Sequence, residues 1–490
     1  MIGFAAVVCV IAAAVLLAVL SNRVSDRLRV PAPALFLIAA AVCATVFPTL
    51  RSLPTVVDEE IVTVALVFIL FDGGMHIGWR RFRTVAGAVV WLGVAGTIVT
   101  AAGVAVAAHL LFGFDWLSAL LIGTALSPTD PAVVFSVLGR REIAGRSGTI
   151  LEGESGANDP VGIALMVTLL GVTGTSGVPT GGWSPVAAGI GTFALQMTVG
   201  AAVGVLGGLG LARLMRVPLP SDALYPIRVL AVAALIYGVA TVLFGSGFLA
   251  VLLAGILVGD VRAPYKREIE HVSASAAGLA EIGAFTVLGL TISLPEVLHP
   301  DQLWVGLGLA GLLILVVRPV LVGVLTLPIR LRWGERTFVL WAGLKGAVPI
   351  LLGIFVVHAG VPDADRIYEV VFVVVLTSVL VQGGLAPTVA ATCGVPMRVV
   401  EPEPWALGMR LRDEPEGLRR HVVGAGSAAD GSAVADLDIG EHAWISMVSR
   451  DGRLVQVRGH TVLRAGDEVL ALADPGVDLG PVFDNAPRTP

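Results

Sequence analysis

Ser127-Pro128-Thr129-Asp130-Pro131 and Glu154-Ser155-Gly156-Ala157-Asn158-Asp159-Pro160 put carboxylates into the middle of long apolar runs. A carboxylate at the centre of a membrane-spanning segment costs roughly 2.5–3.5 kcal/mol on insertion scales, so it marks a functional site by default. Asp130 and Asp159 stand 29 residues apart, each followed by a proline and flanked by oxygen-bearing side chains. That grouping predicts a site for a small cation.

The chain around these stretches excludes a soluble globular protein. It has 490 residues, 56% hydrophobic and 14% charged, with a mean hydropathy of +0.88; such values belong to polytopic membrane proteins. Residues 2–20 are apolar, but no basic residue precedes them and no small-residue cleavage site follows, so they read as a retained first span. Cys9, Cys43 and Cys393 lie in or beside apolar runs without metal-ligand spacing. They read as small buried hydrophobes, with no disulfide framework and no cofactor.

About 20 apolar residues cross a bilayer as a helix. The pattern predicts thirteen spans, near 2–20, 31–47, 61–77, 86–112, 116–139, 149–172, 187–214, 224–244, 247–261, 272–292, 302–328, 337–358 and 367–393. Alternate loops hold Arg23/Arg27/Arg29, Arg80/Arg81/Arg83, Arg140/Arg141/Arg146, Arg213/Arg216/Arg228, Arg262/Lys266/Arg267 and Arg330/Arg332/Arg336, while the other side has Arg51 and Arg366. The positive-inside rule then sets the N-terminus outside and the C-terminus in the cytoplasm of a plasma-membrane protein. Two basic residues of the first 394 remain inside spans: Arg318 and Lys345.

At about 1.5 Å per residue, Asp130, Asp159, Arg318 and Lys345 all come out roughly 12–15 Å deep, near the midplane. Pro128 and Pro131 should unwind span 5, and Gly343-Leu344-Lys345-Gly346-Ala347-Val348-Pro349 is a second breaker-rich run in span 12. Interrupted helices in corresponding positions of two halves are a sequence pointer to a transport site. Spans 5 and 12 run in opposite directions, which predicts inverted six-span repeats, 1–6 and 8–13, joined through span 7. The broken halves would leave dipole ends at mid-membrane, for Asp130 and Lys345 to neutralise, one each.

Hard cations take oxygen ligands. Ser155 and Asp159 share a helix face at i,i+4, as do Glu154 and Asn158. Asp159 and Asp130 supply carboxylates for a monovalent cation, Ser155 a hydroxyl, and the Thr129 region backbone carbonyls; Asn158 is placed to tie the two segments together. A low-dielectric site also disfavours the charged carboxylate, so cation and proton compete for one group. Competition at an alternately exposed site is exchange of one for the other. If Asp159 is the carrier, Asn158 cannot titrate and one proton exchanges for one cation. Asp130 stays open between ligand and helix cap, and Lys345 between cap and functional charge. Glu154 with Arg318 reads as a buried structural pair, Glu281 as a further intramembrane acid without motif context, and Asp72 as interfacial.

With these residues in hand, the chain resembles the monovalent cation:proton antiporter family in its sodium/proton-exchanger-like branch over nearly all of residues 1–394. Thr129-Asp130-Pro131 resembles that branch's interrupted-helix motif and Asn158-Asp159 its ion-binding pair, while Glu154 and Arg318-Pro319 resemble its stabilising glutamate–arginine pair. The resemblance implies inverted repeats, a core domain moving against a dimerisation domain, a homodimer, and electroneutral exchange. Lys345 departs from it, standing where the Gly-Leu-x-Gly motif usually carries arginine.

After a linker at 395–404 the composition turns soluble. Residues 395–490 carry 10 basic and 15 acidic side chains, so the tail offers no polybasic surface to nucleic acid or anionic lipid. Ala443–Val448 and Leu454–Val457 flank the turn signal Arg450-Asp451-Gly452, and Val462–Leu472 reads as strand, turn, strand. This pattern, over 405–475, resembles the C-terminal domain of regulators of potassium conductance and potassium-uptake regulators, with a regulatory ligand unknown. Residues 476–490 read as disordered. The expected fold is thus an all-α polytopic membrane domain plus a small β-rich α+β cytoplasmic domain. A gated cation channel is a competing reading, but the carbonyl filter it would want is absent. A membrane sensor with the tail as output is another, and an ATP-driven pump lacks its phosphate loop.

Overall fold

The computed structural model describes residues 31–47, 55–130, 134, 141–143, 145–172, 185–399, 418–440, 443–451, 453–474 and 477–484. Two compact units divide the chain, Met1–Pro404 and Trp405–Pro490.

The first unit is helical. Helices long and apolar enough to cross a membrane run over Asp58–Phe112, Ala187–Leu214, Leu224–Val242, Lys266–Leu290, Pro300–Thr326 and Ala364–Thr392, with shorter apolar helices at Ala32–Val46, Trp116–Ala125, Gly247–Gly259 and Ala347–His358. The helix Arg146–Val172 carries the second acidic stretch. The expected span at 2–20 lies outside the described residues, as do Cys9 and Pro131. Asp58–Phe112 is 55 residues, about 80 Å at helical rise and too long for one crossing. It is divided at Gly78, whose φ of 65° and ψ of 156° take the chain out of the helix. The Asp260 carboxylate accepts from Arg80 N–H, two residues beyond, at 2.6 Å, as an N-cap would.

The unit inverts the usual surface. Leu206, Val242 and Phe244 are 70–77% exposed, while its interior holds Glu154, Ser155, Asn158, Asp159, Arg318, Lys345 and Gln382. Apolar outside and polar inside suits a hydrocarbon solvent. Cys43, expected to be buried, is exposed on this apolar surface.

The linker expected at 395–404 is in part ordered: Met397–Val399 (β2) pairs antiparallel with Arg141–Ile143 (β1). The second unit is a four-stranded antiparallel sheet of Leu418–Val422 (β3), Ala443–Arg450 (β4), Arg453–Val455 (β5) and Glu468–Ala473 (β6), in the order β3-β6-β4-β5. The strand expected at Val462 is a single bridge to Ala433. The expectation of disorder from 476 fails for 477–484: Gly480–Phe483 is a short helix, and Leu479 and Phe483 are buried in this unit's core. The sequence offers no periodicity there because one turn of helix is too short to show any.

Candidate functional site

Trp116–Ala125 begins on an N-cap: Asp115 Oδ2 accepts from Leu117 N–H at 2.9 Å and Ser118 N–H at 3.1 Å. Ten residues rise about 15 Å, half of a bilayer core of about 30 Å, and the helix stops at Ala125. Residues 127–130 are not helical. On the other side of the site, Trp333–Trp341 stops, 343–346 are extended or irregular, and Ala347–His358 resumes. Asp130 N–H donates to Leu344 C=O at 2.8 Å, so the two unwound stretches are joined backbone to backbone.

The helix Arg146–Val172 supplies the groups facing the first of these stretches. Asn158 Oδ1 accepts from Thr129 N–H at 3.3 Å and Asn158 Nδ2 donates to Thr129 Oγ1 at 2.6 Å. Ser155 Oγ donates to Thr129 C=O. These contacts satisfy groups that unwinding leaves without helical partners, which a low-dielectric interior requires. Asp159, one residue on from Asn158, is 8% exposed, and its Oδ1 has no hydrogen-bond partner among the described residues.

Lys345 Nζ donates to Ser127 C=O at 3.2 Å and Pro128 C=O at 2.9 Å, just past the end of Trp116–Ala125. Asp130 lies against the start of Ala347–His358: a Cβ on Gly346, the residue preceding that helix, would collide with its carboxylate. A Cβ on Gly343 would collide with the Arg318 guanidinium. The two glycines of Gly343-Leu344-Lys345-Gly346 therefore admit two charged groups against the backbone, neither having a positive φ. Arg318 Nη2 donates to Glu154 Oε1 at 2.9 Å, and Arg318 also reaches Leu340 C=O at 2.9 Å and Val339 C=O at 3.4 Å. Both members of the ion pair are buried.

The structure thus brings Thr129, Asp130, Ser155, Asn158, Asp159 and Lys345 around the non-helical residues 127–130, with Glu154 and Arg318 at the end of Trp333–Trp341. Glu281 stays outside this bonded cluster: it sits on Lys266–Leu290, half-buried, with Oε1 unpartnered among the described residues. Asp72, expected at the interface, is 9% exposed; it pairs with His76 at 3.3 Å, and its Oδ1 is unpartnered among the described residues. Sequence reasoning missed Ser378, which accepts from Lys345 N–H, and Gln382, which bonds to Ser378; both are buried. An amide inside the apolar run Val379-Leu380-Val381-Gln382 was the available signal.

The family described as "Sodium/hydrogen exchanger, transmembrane" matches residues 11–392, and the TrkA-C domain matches residues 418–477. The chain is 34% identical over 414 residues to the K(+)/H(+) antiporter NhaP of Alkalimonas amylolytica, covering 84% of this chain and 71% of that one. It is 32% identical over 434 residues to the K(+)/H(+) antiporter NhaP2 of Shewanella oneidensis, covering 87% and 74%. It is 26% identical over 351 residues to the Na(+)/H(+) antiporter NhaP of Pseudomonas aeruginosa, covering 66% and 79%. Among solved structures, the sodium proton antiporter MjNhaP1 from Methanocaldococcus jannaschii superposes with a TM-score of 0.67 at 20% identity, covering 79% of this chain and 98% of that one. At that identity the likeness is one of fold.

Proposed function

Since the chain belongs to the sodium/hydrogen exchanger family, we propose that one membrane-embedded carboxylate, Asp159, carries a monovalent cation one way and a proton the other. The protein is a multi-pass membrane cation/proton antiporter. The observation that carries the assignment to Asp159 is its buried, unpartnered Oδ1 beside the Thr129–Asn158 brace. A cation or a proton is what such an oxygen lacks.

Formal charge supports a one-for-one exchange. Glu154 and Arg318 neutralise each other. With Glu281 carrying its proton in this reading, Asp130, Asp159 and Lys345 then sum to a single negative charge, which one proton or one monovalent cation cancels. Ser155 spends its proton on Thr129 C=O and keeps its oxygen lone pairs for a metal ion. Asp130 lends negative charge to the site while lying at the positive end of Ala347–His358, and Lys345 lies at the negative end of Trp116–Ala125. In this reading each buried charge lies at the end of the half-helix that favours it.

The transported ion is K⁺ in this reading, as in the names of relatives at 32–34% identity. The membrane domain has thirteen spans in inverted repeats with crossing broken helices, works as a homodimer, and holds its N-terminus outside and its tail in the cytoplasm, where the tail sets activity. The test is proton movement in sealed proteoliposomes on separate addition of K⁺, Na⁺ and Li⁺. K⁺ should give the largest response, and clamping the membrane potential should leave it unchanged. A response that scales with an imposed potential contradicts one-for-one exchange, and the absence of any cation-driven proton movement contradicts the function itself.

A further inference from the structure

Among the described residues, three widened, π-helical stretches interrupt the helices of the first unit: Leu92–Gly96, Leu313–Val322 and Ser378–Gly383. Such turns concentrate at functional sites because they re-aim side chains that a regular helix would point elsewhere. The second contains Arg318, already placed on Glu154 and on the end of Trp333–Trp341. The third contains Ser378 and Gln382, 0% and 2% exposed, which nothing in the exchange scheme uses.

Their hydrogen bonds form a chain from Lys345 to Trp341. Lys345 N–H donates to Ser378 Oγ at 3.0 Å, Ser378 Oγ donates to Gln382 Oε1 at 2.6 Å, and Gln382 Nε2 donates to Trp341 C=O at 2.8 Å. Trp341 Nε1 returns a bond to Gln382 C=O at 3.3 Å. The end of Trp333–Trp341 is thereby accounted for, with Val339 and Leu340 carbonyls on Arg318 and the Trp341 carbonyl on Gln382. The Lys345 backbone is pinned through Ser378, while its Nζ holds Ser127 and Pro128.

We propose that Gln382, acting through Ser378, is a positioning residue for the ion site: it fixes the break between Trp333–Trp341 and Ala347–His358 so that Lys345 reaches the Ser127 and Pro128 carbonyls and Asp130 keeps its place against Gly346. It touches neither cation nor proton. Leu in its place removes both side-chain bonds and strands the Trp341 carbonyl and the Ser378 hydroxyl in a medium without water. The Lys345 amine then loses its fixed direction, and the charge balance around Asp159 shifts without any ligand being removed. The inference rests on the Asp159 reading given above.

The experiment is cation-driven proton movement in proteoliposomes holding the full chain, with Gln382→Leu, Gln382→Glu and Ser378→Ala beside wild type and Asp159→Asn. Gln382→Leu should raise the apparent KM for K⁺ about tenfold and displace the pH profile, with the maximal rate within about twofold. Gln382→Glu should recover the wild-type KM at acidic pH, where its protonated carboxyl can both accept from Ser378 and donate to Trp341, and lose it as the pH rises. Ser378→Ala, a smaller change that guards against misfolding of the leucine variant, should raise KM in the same direction. An unchanged KM and pH profile in Ser378→Ala, or a Gln382→Leu protein whose maximal rate alone falls, overturns the inference. Exchange that survives in Asp159→Asn overturns the underlying reading instead, so the two failures are told apart.

Discussion

Asn158 holds Thr129 by two side-chain bonds, its Oδ1 on the Thr129 amide at 3.3 Å and its Nδ2 on the Thr129 hydroxyl at 2.6 Å. One asparagine on the helix Arg146–Val172 thus supplies partners to a non-helical residue that has none within a helix. The chemistry suits an amide, which donates and accepts at once. Asn158→Ala unmakes both bonds and leaves a buried amide N–H without an acceptor, a loss of about 1–3 kcal/mol. The apparent KM for the cation should rise by about five- to a hundredfold. Initial rates of proton movement against cation concentration measure it, and an unaltered KM would remove the brace from the account.

Arg318 serves Glu154 and two helix-end carbonyls at once. Removing one member of a buried pair typically costs about 3–5 kcal/mol, because the partner charge is left uncompensated. Arg318→Ala should therefore lower the melting temperature of the detergent-solubilised protein more than Glu154→Gln, which keeps an acceptor oxygen for the guanidinium. Equal melting shifts in the two variants would show that the carbonyl contacts contribute nothing.

Gly346 has no positive φ to demand glycine, and the reason for it is the Asp130 carboxylate lying where its Cβ would be. Gly346→Ala should displace that carboxylate and reduce exchange by roughly ten- to a hundredfold, the scale of a misplaced reacting group. Yield and size-exclusion profile should stay near wild type. A fully active Gly346→Ala would mean that Asp130 can leave its position at no cost.

In the second unit, Arg450 grips Asp467 through Nε at 2.8 Å and Nη2 at 2.7 Å. Burial pushes the Asp467 carboxyl up, but the Arg450 bonds and the Arg464 amide pull it further down, and the net shift is below the ordinary value. A carboxyl lowered in the folded state adds stability that is fully present above its unfolded value of about 3.9 and is lost as pH falls through the folded value. Hydrogen exchange of Glu468–Ala473, corrected for intrinsic rate, should weaken in protection below about pH 4 in wild type. Asp467→Asn should be less protected at pH 7 and show a smaller acid-dependent loss. The same acid-dependent loss in both would assign it to other groups.

The two acidic stretches and the breaker-rich run at 343–349 were legible because a charge or a proline inside an apolar run needs no partner to be conspicuous. The pairing of the groups was not. Lys345 Nζ meets carbonyls 217 and 218 residues away in sequence, and local pattern says nothing about contacts of that separation. Expecting Ser155 as a metal ligand did not anticipate that its proton goes to Thr129 C=O. Gln382 went unread because it carries no charge, and charges and prolines inside apolar runs were the features that stood out.

The central claim is that cation and proton compete for one carboxylate, and the apparent KM for K⁺ as a function of pH tests it most directly. Competition predicts a KM that rises as pH falls, approaching about tenfold per pH unit on the acid side, while the maximal rate at saturating cation holds steady. A KM that stays flat while the maximal rate falls with pH would mean that the proton acts at a different group, and would contradict the account.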